Sequence, residues 1–138
     1  MRYLGLDLGT KTIGLAISDK TGLIASSYKV LHHDNNPKDC LDELKSIIET
    51  LDIDALVLGL PKNMNNTLGK RAEATLEFKE FLESNIDIPI YLEDERLTTK
   101  SAEAILIKGD TSRKKRKKVI DKVAATIILQ SFLDKRRN

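Results

Sequence analysis

Asp7 interrupts the short apolar segment Arg2–Leu8. A carboxylate is seldom buried without a partner. Asp7 therefore either caps a turn at the end of that segment or faces something that needs negative charge. A second acidic group, Glu93-Asp94-Glu95, is followed by Arg96 and comes directly after the apolar stretch Ile88–Leu92. Three consecutive acids repel one another unless a cation or Arg96 compensates; taken alone, the group also suits a solvated loop. A third acid, Asp121, shares a helical stripe with Ala124, Ala125 and Ile128 by the i+3, i+4, i+7 rule. It points at a core rim, or it is an acid favoured by the dipole near a helix start. Together the three positions suit one chemistry. Two hard divalent cations about 3.5–4 Å apart require carboxylates converging from several segments. One ion activates a water and the other stabilises the leaving oxygen of a phosphodiester. A hard divalent cation such as Mg²⁺ or Mn²⁺ is the expected cofactor, with Asp7, the Glu93-Asp94-Glu95 group and Asp121 as its candidate sources of ligands.

Other reactive residue types offer no rival site. His32 and His33 are adjacent, so on a strand they point to opposite faces and cannot chelate together. Cys40 is the single cysteine, which excludes an internal disulfide and a Cys-rich zinc site; it reads as a packing residue. Ser18 and Ser101 lack an evident base.

A basic run, Arg113-Lys114-Lys115-Arg116-Lys117-Lys118, leads into Asp121. Six like charges in a row are expected to form a flexible, solvated loop at about 109–118. Such a loop can order on a phosphate backbone with salt-sensitive affinity and would deliver a polyanion to the metals. Lys135-Arg136-Arg137 adds a smaller patch. Aromatic residues are 4% of the chain and none interleaves with the run, so backbone or shape recognition is expected rather than base stacking. The net charge of +2 hides an asymmetry: residues 1–107 carry −6 and residues 108–138 carry +8. That split points to a polyanionic partner for the C-terminal end.

The elements that must position these residues follow from the hydrophobic pattern. Arg2–Leu8 reads as a buried central strand. Thr12–Ser18 alternates cleanly and follows a short turn at Gly9-Thr10, which makes it an antiparallel hairpin partner. Leu23–Leu31 reads as a third strand. Leu41, Leu44, Ile47, Ile48 and Leu51 then fall at helical spacing, with Asn36 as N-cap and Pro37 at the first helical position. A buried strand over 54–60, a helix from Thr67 to about Ser84, and a strand at Ile88–Leu92 come next. Pro89 argues that this last strand starts there or lies at an edge. A short helix is expected from Thr99 to about Ile107, and a final amphipathic helix from Val119. The expected fold is α/β: a three-strand antiparallel meander followed by α-β-α-β in one mixed sheet, with helices on both faces.

At 138 residues the chain is long enough for one domain, 1–138, with a real core. Hydrophobic residues at 41% and charged residues at 32% fit a soluble globular protein. No apolar run approaches the roughly 20 residues of a membrane span, and the N-terminus lacks a signal-peptide core, so a cytoplasmic location and no membrane partner are expected.

Four blocks resemble the YqgF family, whose members have been described as Holliday-junction resolvases and as pre-16S rRNA nucleases. The first is Gly5-Leu6-Asp7-Leu8-Gly9-Thr10-Lys11, continuing through Ile13-Gly14-Leu15-Ala16 and Ser18-Asp19. The second is Val57-Leu58-Gly59-Leu60-Pro61-Lys62-Asn63-Met64, followed by Gly69 and Ala72. The third is Asp94-Glu95-Arg96-Leu97-Thr98-Thr99. The fourth is Lys117-Lys118-Val119-Ile120-Asp121-Lys122 with Ala124-Ala125 and Ile128-Leu129-Gln130. One departure is Asn66, where the family usually has Gly; Asn is the next residue best able to adopt a positive φ.

The resemblance implies an RNase H-like fold and an acidic metal site of Asp7, Asp121 and one acid of Asp94-Glu95, with Glu95 favoured. It implies a metal-dependent nuclease for structured nucleic acid, with pre-16S rRNA end processing ahead of a four-way DNA junction. Lys11 and Arg96 would neutralise phosphate, and Arg113–Lys118 would bind the flanking backbone. A homodimer would suit a symmetric junction. Two other readings stand beside it. Asp-Leu-Gly-Thr after a first strand also resembles the phosphate loop of the actin and sugar-kinase superfamily, which clamps ATP between two such domains. A non-catalytic nucleic-acid binder in ribosome assembly or transcription would need only the basic segment.

Overall fold

The computed structural model describes residues 1–61, 69–94 and 113–137, and within the last stretch the side chains of 123–136. Their order is β1 (Tyr3–Leu8), β2 (Thr12–Ser18), β3 (Ala25–His32), a 3-10 turn (Pro37–Cys40), α1 (Leu41–Thr50), β4 (Ala55–Leu60), α2 (Lys70–Asn85), β5 (Ile90–Asp94) and α3 (Arg113–Arg137). The five strands form one sheet in the order β3-β2-β1-β4-β5. β1–β2 and β2–β3 pair antiparallel, while β1–β4 and β4–β5 pair parallel. This is the expected mixed α/β sheet.

Local signals account for each junction. Gly9 closes the first hairpin, its N–H donating to the Thr12 carbonyl at 2.7 Å. The Asn36 side chain accepts from the Lys38 N–H, and Pro37 begins the 3-10 turn, as the capping signature predicts. Asp54 ties β4 beside β1: its carboxylate accepts from the Arg2 N–H at 2.8 Å, and its N–H donates to the Arg2 carbonyl at 2.8 Å. Pro89 has no N–H to give, but its carbonyl accepts from Leu56 at 2.9 Å as β5 enters along the sheet edge.

The sheet separates two layers. On one face Leu6, Ile13, Leu58 and their neighbours pack against Leu44 of α1 and Phe78 and Leu82 of α2. On the other, Tyr3, Ala16, Ala55 and Val57 pack against Ala125, Ile128, Leu129 and Phe132 of α3.

Two expectations are corrected. β5 runs from Ile90 to Asp94, two residues later than the expected Ile88–Leu92, because its pairing with β4 continues to Leu60–Asp94. Glu93 and Asp94 are therefore strand residues, not loop residues. Arg113–Lys118, expected within a loop at 109–118, form the first turns of α3. Lys and Arg are strong helix formers, the run contains no Gly or Pro, and like-charge repulsion along a helix costs only a few tenths of a kcal/mol per pair. The remainder of that loop, the expected helix at Thr99–Ile107, the start of a helix at Thr67, and Asn66, Glu95 and Arg96 lie outside the described residues.

Candidate active site

Asp7 stands one residue before the end of β1. It pairs in register with Gly14 of β2. On its other side the parallel pairing of Leu6 with Leu58, carried one residue on, sets Gly59 of β4 beside it. Gly59 in turn pairs with Glu93 of β5. Side chains alternate along strands, and Tyr3, Val57 and Tyr91 of these strands pack toward α3. Asp7, Gly59 and Glu93 share their parity. One row on the α3 side of the sheet therefore reads Gly14–Asp7–Gly59–Glu93. Neither immediate neighbour of Asp7 has a side chain to cover its half-buried carboxylate. At about 4.8 Å per strand, the Asp7 and Glu93 backbones lie about 10 Å apart across Gly59.

Glu93 is 4% exposed and pairs with Lys135 of α3. A buried carboxylate without a countercharge would be costly, so Lys135 accounts for Glu93 as a structural ion pair. Asp94 follows Glu93 and has the opposite parity, on the α1/α2 side and level with Leu60. The pleat thus splits the acidic group that the sequence presents as continuous.

The helix approaches this row closely because Gly5 leaves room for it. A Cβ at Gly5 would lie 2.9 Å from Leu129 Cβ and 3.3 Å from the Ala125 carbonyl oxygen. Phe132 stacks edge-on with Tyr3 at the start of β1, whereas Ala125 and Leu129 cover Gly5. α3 therefore runs against β1, and its N-terminal half heads toward the Asp7 end. Asp121 lies in that half, one turn before Ala125, on the stripe whose later members Ala124, Ala125 and Ile128 are all buried. The side chains of Asp121 and of Arg113–Lys118 are not among those described.

Lys11 is exposed in the turn after β1, and its carbonyl accepts from His33 at 2.9 Å. Cys40 is buried, and burial raises the pKa of its thiol, with Glu43 and Asp39 adding to the effect. That keeps it protonated and inert, as a packing residue should be. Among the described residues, no three His, Cys, Asp or Glu side chains cluster tightly enough to hold a metal ion.

Residues 1–135 match the family described as "RuvX: Holliday junction resolvase". The chain belongs to the RuvX family. Its relatives include proteins named "Putative pre-16S rRNA nuclease". One from Listeria monocytogenes serotype 4b is 52% identical over 97% of this chain and 98% of its own. One from Geobacillus sp. is 51% identical over 99% and 100%. The RuvX-family chain also shares its fold with Thermus thermophilus RuvC in complex with a Holliday junction (TM-score 0.58, 16% identity, 100% and 97% covered). A fowlpox virus resolvase in complex with junction DNA gives a TM-score of 0.58 at 13% identity, with both chains fully covered. The RNase H-like architecture that the four blocks implied is thereby established. What the sequence reading of this RuvX member missed is a pair of cations, Lys70 and Arg71, beside the end of β1. The available signal was their place in the first turn of a helix, where the dipole disfavours positive charge.

Proposed function

We propose that this chain is a metal-dependent endonuclease that hydrolyses phosphodiesters in structured nucleic acid. Its substrate is the 5′ end of a pre-16S rRNA, with a four-way DNA junction as the alternative. The observation that carries this reading is the placement of Asp7. Its carboxylate stands between two glycines at the carboxyl edge of parallel strands, where open α/β sheets bind their ligands. Membership of the RuvX family supports nuclease chemistry there, and relatives about half identical over nearly their full length favour the RNA end.

Mg²⁺ or Mn²⁺ suits this edge, because carboxylate oxygens are the ligands such hard cations prefer. Asp7, Glu95 and Asp121 would hold it. Asp94 belongs to the far face of the sheet, and Glu93 is engaged by Lys135, which favours Glu95 in this set. When bound, the metal supplies an activated water and offsets charge on the leaving oxygen. The chain's own residues do the rest. Asp7 would hold the metal at the sheet edge, Gly14 and Gly59 add no side chain of their own beside it, and Lys11 neutralises backbone charge from the exposed turn. The basic run at the start of α3 extends that attraction along the helix, and Arg96 adds to it. A cytoplasmic location suits action on ribosomal RNA. No helix among the described residues is long and apolar enough to cross a membrane.

Cleavage of a pre-16S rRNA end and of a four-way junction, side by side with Mg²⁺ and with Mn²⁺, tests this reading. Asp7→Asn should lower the rate about 10³-fold, the equivalent of several kcal/mol of lost charge stabilisation, with folding and binding retained. Full cleavage by that variant would refute the site, and the relative rates on the two substrates decide between them.

A further inference from the structure

A cavity of about 350 Å³ opens beyond the carboxyl end of β1. Gly9, Thr10 and Asn35 line it, together with Lys70, Arg71 and Ala74 of α2. It lies where the chain leaves the sheet in opposite directions. β1 turns toward β2, while β4 passes through α2 to β5. Crevices at such switch points are the usual ligand sites of open α/β sheets. The volume falls at the lower end of small-molecule sites, enough for one sugar–phosphate unit.

Its charge is arranged for an anion. Lys70 and Arg71 occupy the first turn of α2, although the positive end of the helix dipole disfavours cations there. Arg71 is also held in place: its guanidinium donates to the Leu8 carbonyl at 3.3 Å. Leu8 is the neighbour of Asp7 on β1 and points to the opposite face. The cavity and the Asp7 row are thus on two sides of the same strand end. Beside Gly9, Thr10 adds a hydroxyl to the lining.

We propose that this cavity is a second phosphate seat, which takes a backbone phosphate of the bound strand next to the one cleaved at Asp7, with Lys70 and Arg71 as its cations. The proposal rests on the nuclease reading and adds to it how the strand is registered. Two side chains outside the acidic site would determine which phosphodiester reaches the metal.

The test is equilibrium binding by the full chain, in EDTA, of two labelled ligands across a salt series: a pre-16S rRNA end and a four-way DNA junction. The double variant Lys70→Gln/Arg71→Gln should bind about tenfold more weakly at 0.1 M salt, and its slope of log K against log salt should fall by about 1 to 2. Ala74→Phe fills the cavity and leaves the charge unchanged, and it should weaken binding as well. Lys79→Gln removes a charge nine residues along α2, where Lys79 pairs with Glu83, and should change neither quantity. Loss on the RNA, the junction or both supports the seat and identifies the strand it takes. Unchanged binding by Ala74→Phe and the double variant overturns the seat while the nuclease reading stands. Equal losses from Lys79→Gln reduce the effect to general surface charge and also overturn it. Failure of the unmodified chain to bind either ligand overturns the nuclease reading and this proposal with it.

Discussion

The two faces of the sheet are packed by different means. Toward α1 and α2 the contacts are bulky: Leu6, Leu15, Leu56 and Leu58 meet Leu44, Phe78 and Leu82, all at 0–1% exposure. Toward α3 the strands contribute mostly small residues. Gly5, Ala16 and Ala55 let Ala125, Ile128 and Leu129 bring the helix close, and the rings of Tyr3, Tyr91 and Phe132 fill the far end, with the Arg136 guanidinium 5.3–5.7 Å from each ring centre. A layer of large side chains supplies stability and can relax around a change. A layer in close backbone contact fixes where a helix sits. The molecule thus keeps most of its apolar bulk on one face and sets the position of the Asp121-bearing helix on the other.

The largest effect expected from this division is on the bulky face. Leu44→Ala removes a fully buried side chain from α1 and should cost about 2–5 kcal/mol, a drop of roughly 10 °C or more in Tm. Cleavage per folded molecule should stay at the unmodified level. A melt that moves little, or a rate that falls with it, would show that the faces do not divide the work. Gly5→Ala is the reciprocal change. One added methyl 2.9 Å from Leu129 Cβ forces α3 outward, for about 1–3 kcal/mol by melting, while cleavage per folded molecule falls. Leu129→Gly removes the Cβ that the added methyl meets. In the double variant the losses should be less than additive, and full additivity would mean that the close contact does not set the helix position.

Much of this was legible in the sequence, for reasons that also explain the failures. The meander and the helices at 41–50 and 70–85 follow from hydrophobic period, and Asn36-Pro37 marks the turn that leads into the first of them; both signals are local. Asp7 was visible because a charge inside an apolar strand is locally anomalous. The row Gly14–Asp7–Gly59–Glu93 was not visible, because it depends on the register of four strands, and no single segment carries that information. Ending β5 at Leu92 hid the split between Glu93 and Asp94, since one residue of strand decides which face each acid occupies. At Arg113–Lys118 charge alone suggests a loop, whereas Lys and Arg favour helix when nothing breaks it. Lys70 and Arg71 look like ordinary solvated cations until the cavity beside Gly9 gives them a common target.

The smallest expected effect concerns how the α3 face is anchored at the meander's edge. Asp19 organises the turn between β2 and β3. Its carboxylate accepts from the Leu23 and Ile24 N–H groups, each at 2.9 Å, from the Thr21 N–H at 3.3 Å, and from the Thr21 hydroxyl. The same turn offers the Leu23 carbonyl and the Ala25 N–H to Gln130 of α3, at 3.0 and 2.8 Å. The Ile24 amide, then the Thr21 hydroxyl and the Leu23 amide, hold the Asp19 pKa well below the ordinary carboxylate value. In the unfolded chain that value returns to about 3.9. A pKa lower in the folded state means that ionised Asp19 stabilises the fold fully above the unfolded value, and that this contribution is lost as the pH falls through the folded value. Asp19→Asn should therefore melt below the unmodified chain at neutral pH, with the gap closing as the pH is lowered from 4 toward 2. The effect is modest because the carboxylate is exposed to water and salt. Thermal melts of both proteins from pH 7 to pH 2 measure it. A gap that stays constant into acid would mean that the turn, and with it the Gln130 attachment of α3, does not depend on the Asp19 charge.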